Sequence, residues 1–193
     1  MIILQSMKVI GAVGDIGSGK DEVLKYLRDR YGVPYLSTGD IVRRMAQEDG
    51  VEGTRENLEA ISKRCFTEMG RGCFVRMAAQ EIMKRGWEVA GISGVRSPDD
   101  VAVMKEMFGS GFVLVRVDIN DPRIRFERVR LRSERRDPLT WEAFQEQDKN
   151  EEQEFHINRA EAMADYSIDN SGTLEDLHKQ LDELVASKKL PVE

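Results

Sequence analysis

The sequence predicts an α/β fold in which a parallel sheet carries helices on both faces. An apolar run over residues 8–13 predicts a buried strand, and a helical pattern begins shortly after it. Two more apolar runs, over residues 87–92 and 112–117, alternate with helical patterns in the same way. Strands that alternate with helices along a chain are typical of a parallel sheet covered on both sides.

The connection between the first strand and the first helix has the spacing G-x-x-x-x-G-K of a phosphate-binding loop. Glycines let backbone N–H groups curl around phosphate oxygens, and the positive end of the following helix points at them. The loop lysine can reach the outer phosphates, so the segment predicts a nucleoside triphosphate site, although such turns also occur without a ligand. The expected binding residues are Gly14, Asp15, Ile16, Gly17, Ser18, Gly19, Lys20, Asp21 and Glu22.

One residue of this loop departs from the usual motif. A Ser or Thr hydroxyl that binds Mg²⁺ normally follows the lysine, whereas this chain has Asp21 and then Glu22. The glycines also fall as G-x-x-G-x-G, which is the wrong spacing for the dinucleotide-binding fingerprint. The sequence therefore favours a triphosphate over a dinucleotide and leaves the metal ligands unknown.

Composition indicates one globular domain over residues 1–193. The formal net charge of -6 argues against general binding to nucleic acid or anionic membranes. No stretch approaches the ~20 apolar residues needed to cross a bilayer, and the first residues lack a basic leader. We expect a cytoplasmic protein that is a monomer or a homodimer and binds neither membranes nor nucleic acid.

The two cysteines, Cys65 and Cys73, show no C-x-x-C pattern, and the two histidines, His156 and His178, are far from both in sequence. This arrangement predicts two reduced, buried thiols and no zinc site. Any metal should arrive with the nucleotide.

The remaining elements follow from apolar periodicity and from end signals. Residues 37–40 offer hydroxyl and carboxylate side chains that can cap a helix, and Thr173 with Asp176 resembles a capping box. Further strands are predicted over residues 33–36 and 166–168, and helices over residues 18–30, 41–48, 54–69, 74–85, 97–108, 141–154, 157–164 and 173–184.

The segment Tyr35-Leu-Ser-Thr-Gly-Asp-Ile-Val-Arg43, taken with the glycine-rich loop, resembles the adenylate kinase group of P-loop nucleotide kinases. The resemblance implies a three-layer αβα fold with a five-stranded parallel sheet in the order 2-3-1-4-5. It also implies a helical acceptor-binding insertion at about residues 38–72, a short lid at about residues 130–148, and ATP and Mg²⁺ as cofactors.

By the same resemblance, Thr38 contacts an acceptor nucleotide and Arg43 binds its phosphate. Both residues are near a helix start, where the dipole favours an anion and the side chains could share a face. The alternative is a simple helix cap followed by a solvated arginine. Residues 91–97 are similar to the segment that follows the next strand in nucleotide kinases, which implies that Arg96 also binds the acceptor phosphate.

That segment has Ser93 where the family usually has an aspartate that helps to organise Mg²⁺. Together with the acid that replaces the loop hydroxyl, this departure puts the ordinary metal arrangement in doubt. Four acids are possible substitutes, and the sequence does not single one out: Asp15, Asp21, Glu22 and Asp118.

Seven arginines fall between Arg123 and Arg136. One interpretation is a solvated basic helix face that pairs with acids such as Glu127 and Glu134, which we expect for Arg123 and Arg125. The other is a lid that brings cations to the transferred phosphoryl group.

The family resemblance favours Arg132 and Arg136 as the arginines that act on this group. Together with Lys20 they form the expected catalytic set.

Residues 162–173 resemble the corresponding end of dephospho-CoA kinases and of a related, largely uncharacterised group of archaeal P-loop kinase-like proteins. The resemblance implies that backbone groups from Asn170 to Gly172 lie against the base of the donor nucleotide. The same turn also suits a plain cap for the last helix.

The resulting hypothesis is an ATP-dependent phosphotransferase, similar to nucleoside monophosphate kinases, that acts on a small-molecule nucleotide acceptor. One alternative is a dephospho-CoA kinase. The other is a nucleotide-binding regulatory ATPase module whose bound state is recognised by a partner, with no small-molecule kinase activity.

Overall fold

Five parallel strands form the sheet of the protein, in a computed structural model that describes residues 7–132 and 138–192. Their order is β2-β3-β1-β4-β5 and every neighbouring pair is parallel, which confirms the predicted fold class and strand order. The strands are β1 (Lys8–Val13), β2 (Tyr35–Ser37), β3 (Val89–Ser93), β4 (Phe112–Asp118) and β5 (Tyr166–Asp169).

Helices connect these strands, and apolar residues at helical spacing give most of them one buried side. The helices are α1 (Lys20–Tyr31), α2 (Thr38–Glu48), α3 (Arg55–Met69), α4 (Cys73–Arg85), α5 (Pro98–Phe108), α6 (Pro122–Arg132), α7 (Trp141–Phe155), α8 (Ile157–Glu161) and α9 (Leu174–Ala186).

Alternate residues of β1 face two different apolar clusters. Val9 and Val13 pack with helices α2 to α5 and α8, whereas Ile10 and Ala12 pack with α1 and α9. Both faces of the central strand are therefore covered, which explains its nearly uniform apolar sequence. The layers are helix, sheet and helix, as predicted.

A third apolar cluster joins α6 and α7 to the phosphate-binding loop. It consists of Ile16, Phe126, Val129 and Phe144, with Trp141 packed against it. The ring centroids of Phe126 and Phe144 are 5.5 Å apart, and those of Trp141 and Phe144 are 5.6 Å apart. This cluster holds α6 and the first half of α7 close to the carboxyl end of the sheet.

Some element ends differ from the prediction. Helix α2 begins at Thr38 and not at residue 41, and the Thr38 hydroxyl in its first turn is 3.5 Å from the Gly94 carbonyl. The capping expected from residues 37–40 is wrong: Ser37 is the N-cap residue, but its side chain makes no capping hydrogen bond, and Asp40 pairs with Arg43.

One further end signal is confirmed, and one further boundary differs. The capping box of Thr173 and Asp176 is confirmed, and α8 ends at Glu161 instead of residue 164. Residue 148, the expected end of the lid, lies within α7, which continues without a break to Phe155. Both cysteines are buried and unpaired, as expected. Across residues 7–132 and 138–192, no helix is long and apolar enough to cross a membrane.

Candidate active site

The phosphate-binding loop connects β1 to α1 at the carboxyl end of the sheet. Gly17 has φ 78° and Gly19 has φ 91°, backbone conformations that side chains other than glycine rarely adopt. A Cβ atom on Gly19 would also lie 2.3 Å from the Asn170 amide nitrogen. The loop therefore requires glycine at Gly19.

Asn170, in the loop after β5, fastens the phosphate-binding loop from the side. Its Nδ2 donates a hydrogen bond of 2.8 Å to the Ser18 carbonyl, and its backbone N–H donates one of 2.8 Å to the Asp118 carbonyl. The Gly172 carbonyl accepts a 2.8 Å bond from Arg128 Nη2. The predicted donor-base loop thus lies beside the phosphate-binding loop, with the Asn170 side chain engaged in holding it.

Lys20 is the first residue of α1, and its Nζ donates a 3.1 Å bond to the Asp15 carbonyl. Burial lowers the pKa of Lys20, while the negative charge of Asp21 acts to raise it. The ammonium group thus joins the end of the loop to its beginning.

The two residues that depart from the family pattern are in direct contact. Ser93, buried at the end of β3, donates a hydrogen bond through its hydroxyl to the Asp21 carboxylate in the first turn of α1. Burial acts to raise the pKa of Asp21, but the charge of Lys20 and the Ser93 hydrogen bond hold it below its usual value. Glu22 points elsewhere, with its carboxylate 3.6 Å from Lys25 Nζ.

This pair has the chemistry that Mg²⁺ prefers. Carboxylate and hydroxyl oxygens are hard ligands, and Mg²⁺ is usually held by one or two carboxylates together with phosphates and waters. Within the described part of the chain, no group of three or more His, Cys, Asp or Glu side chains could hold a metal ion alone. Asp21 and Ser93 therefore fit a metal that arrives with the triphosphate.

The two predicted acceptor residues of α2 have different partners. Thr38 is buried against the loop after β3, with its hydroxyl 3.5 Å from the Gly94 carbonyl. The Arg43 side chain is 48% exposed, and its Nε donates a 3.2 Å bond to Asp40 Oδ1. The structure thus directs Thr38 inward and pairs Arg43 with an acid of its own helix.

Arg96 and a second arginine converge on one aromatic ring. The Arg96 guanidinium carbon is 5.6 Å from the centroid of Phe155, and that of Arg71 is 5.7 Å from the same ring. Arg71 also lies 4.9 Å from the ring of Phe66. The positive charge of Arg96 contributes to the lowered pKa of Lys20, so Arg96 lies near the phosphate-binding loop as well.

Sequence reasoning missed Arg71. The residue lies between two glycines in the short turn that joins α3 and α4, a pattern that indicates only a turn. Its nearness to Arg96 depends on Phe155, which is far from both in sequence. No local signal could have found this pair.

Arg125 corrects the prediction for the arginine cluster. It is only 5% exposed, and its guanidinium makes two bonds of 2.6 and 2.7 Å to Asp148 and a 3.1 Å bond to the Ile16 carbonyl. Its Nη2 is also 3.6 Å from Asp15 Oδ2. The expected solvated arginine is in fact a buried link between α6, α7 and the phosphate-binding loop.

The other arginines of this stretch vary in their surroundings. The exposed Arg123 lies over the Trp141 ring at 3.8 Å and does not pair with Glu127, which pairs with Arg130 at 3.1 Å. Arg132 is the last residue of α6 and is exposed. Two predicted participants, Glu134 and the catalytic candidate Arg136, lie outside the described residues.

A buried acid lies close to the same loop. Glu161 is 7% exposed, and its Oε2 is 3.4 Å from Arg116 Nε. Burial raises the pKa of Glu161 to about 7, with a further contribution from the negative charge of Asp15. Burial likewise raises the pKa of Asp15, which Arg125 opposes. A cleft of about 320 Å³ between the loop and α7 is lined by Asp15, Arg125 and Asp148 among other residues.

The chain is similar in sequence to one family model and to several whole proteins. The family model described as an AAA domain matches residues 13–145. The UPF0200 protein of Thermococcus kodakarensis is 35% identical over 179 residues, which cover 92% of this chain and 96% of the relative. The UPF0200 protein of Hyperthermus butylicus is 34% identical over 178 residues, which cover 92% and 93%.

Solved structures show the same fold at low sequence identity. Shikimate kinase from Acinetobacter baumannii, in complex with shikimate, has a TM-score of 0.60 and 17% identity, and the match covers 97% of each chain. Shikimate kinase from Bacteroides thetaiotaomicron has a TM-score of 0.62 and 16% identity, with 95% and 99% covered. A gluconokinase from Sinorhizobium meliloti has a TM-score of 0.58 and 14% identity, with 96% and 97% covered. The fold is therefore that of P-loop kinases.

Proposed function

We propose that this chain, which belongs to the UPF0200 family and has a P-loop kinase fold, is an ATP-dependent phosphotransferase that acts on a small nucleotide-type acceptor. The supporting observation is that Lys20 and Arg96 follow neighbouring parallel strands, β1 and β3, whose carboxyl ends lie at the same edge of the sheet. Two cations at one edge of the sheet suit two phosphate groups, one on the donor and one on the acceptor.

On the donor side, backbone N–H groups from Gly14 to Lys20 bind the β- and γ-phosphates. Lys20 exchanges its bond to the Asp15 carbonyl for the phosphate oxygens. The loop from Asn170 to Gly172, with Arg128 beside it, lies against the base. Asp21 and Ser93 would hold Mg²⁺, which would supply positive charge to the phosphates.

On the acceptor side, Arg96 and Arg71 bind the anionic group of the acceptor. Arg43, exposed on α2, exchanges Asp40 for that group, and Thr38 supports the loop after β3 through its contact with the Gly94 carbonyl. The ring of Phe155 keeps the guanidinium groups of Arg96 and Arg71 in place through cation–π contacts. The pair favours an acceptor that carries a phosphate, because arginine forks match the oxygens of such groups. A nucleoside monophosphate fits first and dephospho-CoA second.

During transfer, the arginines Arg132 and Arg136 are proposed to stabilise the moving phosphoryl group. Positioning and charge supply most of the catalysis in phosphoryl transfer, so no general base is required.

Transfer from labelled ATP to a panel of acceptors tests the proposal. The panel contains the common nucleoside monophosphates, dephospho-CoA, shikimate and gluconate. We expect transfer to a monophosphate. Transfer to dephospho-CoA alone supports the second acceptor class, and transfer to shikimate or gluconate alone contradicts a phosphorylated acceptor.

A regulatory ATPase module is the second candidate, and the altered residues Asp21 and Ser93 favour it because they change the metal environment. Calorimetry separates the two. Tight ATP binding in excess Mg²⁺ with no acceptor-dependent turnover supports the module and contradicts the phosphotransferase.

A further inference from the structure

We propose that Asp21 and Ser93 form the Mg²⁺ site of the phosphate-binding loop, with the carboxylate and the hydroxyl in exchanged positions. This inference deepens the proposed function and rests on it for the identity of the nucleotide. In P-loop NTPases, Mg²⁺ is held by a Ser or Thr hydroxyl after the loop lysine and by an acid from another strand. Here the acid follows the lysine and the hydroxyl ends the strand.

The two side chains meet between α1 and β3. Strand β3 is the direct neighbour of β1, and the register pairs Ser93 with Ala12, shortly before the loop. Asp21 lies in the first turn of α1, next to Lys20. The Ser93 hydroxyl donates directly to the Asp21 carboxylate, so both groups can reach the same metal ion.

The exchange preserves both the charge and the donor types of the site. One carboxylate and one hydroxyl remain at the place where the loop presents phosphates, so Mg²⁺ meets the same oxygen ligands from opposite sides. A change at one position alone would leave either no carboxylate or two. The two departures from the nucleotide-kinase pattern therefore offset each other, and the site keeps both types of metal ligand.

The other candidate acids are engaged with cations. A carboxylate that already pairs with an arginine or a lysine is a poorer metal ligand, because the metal has to displace that cation. Asp21 differs in that its carboxylate accepts a hydrogen bond from a hydroxyl. The engaged pairs are Asp15 with Arg125 at 3.6 Å, Glu22 with Lys25 at 3.6 Å and Asp118 with Arg116 at 2.8 Å.

Four variants of the full chain test the exchange: Asp21→Asn, Asp21→Ser, Ser93→Asp and the double variant Asp21→Ser/Ser93→Asp. Calorimetry measures the affinity for ATP with Mg²⁺ and with EDTA, and electron paramagnetic resonance follows Mn²⁺ in the ATP complex. Asp118→Asn is the matched control, since it removes a carboxylate at another of the candidate positions.

We expect Asp21→Asn and Asp21→Ser to lose about 10- to 100-fold of the gain in ATP affinity that Mg²⁺ provides. Affinity in EDTA should stay the same or rise, because a negative charge beside the phosphates is gone. The double variant should recover most of the Mg²⁺ effect. Ser93→Asp alone brings two carboxylates together, so it should lower the Tm without metal, and Mg²⁺ should restore it.

Three results would overturn the assignment. The first is an unchanged Mg²⁺ effect in Asp21→Asn, and the second is an equal loss in Asp118→Asn. The third is a double variant with the Tm and metal-free ATP affinity of the parent protein that does not regain the Mg²⁺ effect.

These titrations contain no acceptor, so the two proposals fail separately. If the protein transfers phosphate to no member of the panel but shows the expected Mg²⁺ pattern, the proposed function is wrong and the proposed Mg²⁺ site stands. A kinase whose Asp21→Asn variant retains the full Mg²⁺ effect keeps the function and loses the site.

Discussion

At the residue scale, Lys20 is the proposed contact between the loop and the triphosphate. Its ammonium group bonds the Asp15 carbonyl and is partly desolvated, so a phosphate oxygen is a stronger partner for it than water. We expect Lys20→Ala to weaken ATP binding by roughly 10- to 100-fold, the value of one hydrogen bond to a charged group. Calorimetry with ATP measures the change. Lys84→Ala, at an exposed position on α4, is the control. An unaltered ATP affinity in Lys20→Ala would mean that this loop does not bind the triphosphate.

Arg71 and Arg96 share a second prediction at this scale. Replacing either with Ala removes one of two guanidinium groups over Phe155, so the KM for the acceptor should rise roughly tenfold or more while the KM for ATP changes little. Steady-state kinetics with each substrate varied in turn provides the measurement.

Arg76→Ala is the matched control for these two variants, because Arg76 pairs with Glu106 at the surface of the same region. A rise in the KM for ATP alone, with the KM for the acceptor unchanged, would place both arginines outside the acceptor site.

At the element scale, the buried Arg125 joins α6 to α7 and to the loop. Removing one partner of such a pair leaves an uncompensated charge, so Arg125→Met should lower the free energy of unfolding by about 3 kcal/mol. Urea unfolding measures this loss. Arg130→Met, on the exposed side of α6, should change the free energy of unfolding by no more than about 0.5 kcal/mol.

A double-mutant cycle identifies the cause of that loss. Asp148→Leu combined with Arg125→Met should restore part of the stability, since no lone charge then remains between the two helices. If the two changes simply add, the packing of the arginine stem and not its ion pair holds the helices together.

The sequence predicts those features of the elements that are local. The apolar run of β1, the loop glycines and the box of Thr173 and Asp176 each lie within a few neighbouring residues, and the structure has all three. The features that were missed join distant residues. Arg125 meets Asp148 through the fold, and Ser93 meets Asp21 because β3 lies beside β1. Periodicity carries no information about such contacts.

At the scale of the whole molecule, Glu161 contributes a pH dependence to stability. Its pKa is raised by burial to about 7 in the folded protein from an ordinary value of 4.5, so folding favours the protonated form. The contribution of the protonated Glu161 carboxyl to the free energy of unfolding is complete below pH 4.5 and is lost as the pH rises through about 7. The free energy of unfolding should fall over this window by up to ~3 kcal/mol, by linkage.

Glu161→Gln isolates this effect, because the amide stays neutral at every pH. The difference in free energy of unfolding between the variant and the parent protein should grow from pH 4.5 to 7 and then level off. Urea titrations across this range measure it, with the exposed Glu88→Gln as control. A difference that does not vary with pH would mean that Glu161 titrates normally.

Among the described residues, β1 is the first strand in sequence and the central strand of the sheet. Its neighbours come much later, since Val9 pairs with Ala90 on one side and with Phe112 on the other. The loop that follows β1 is held by Asn170, which lies 152 residues after its partner Ser18. On the ribosome, β1 therefore has to wait for its partner strands, and the ability to bind a triphosphate should appear only after Asn170 has been synthesised.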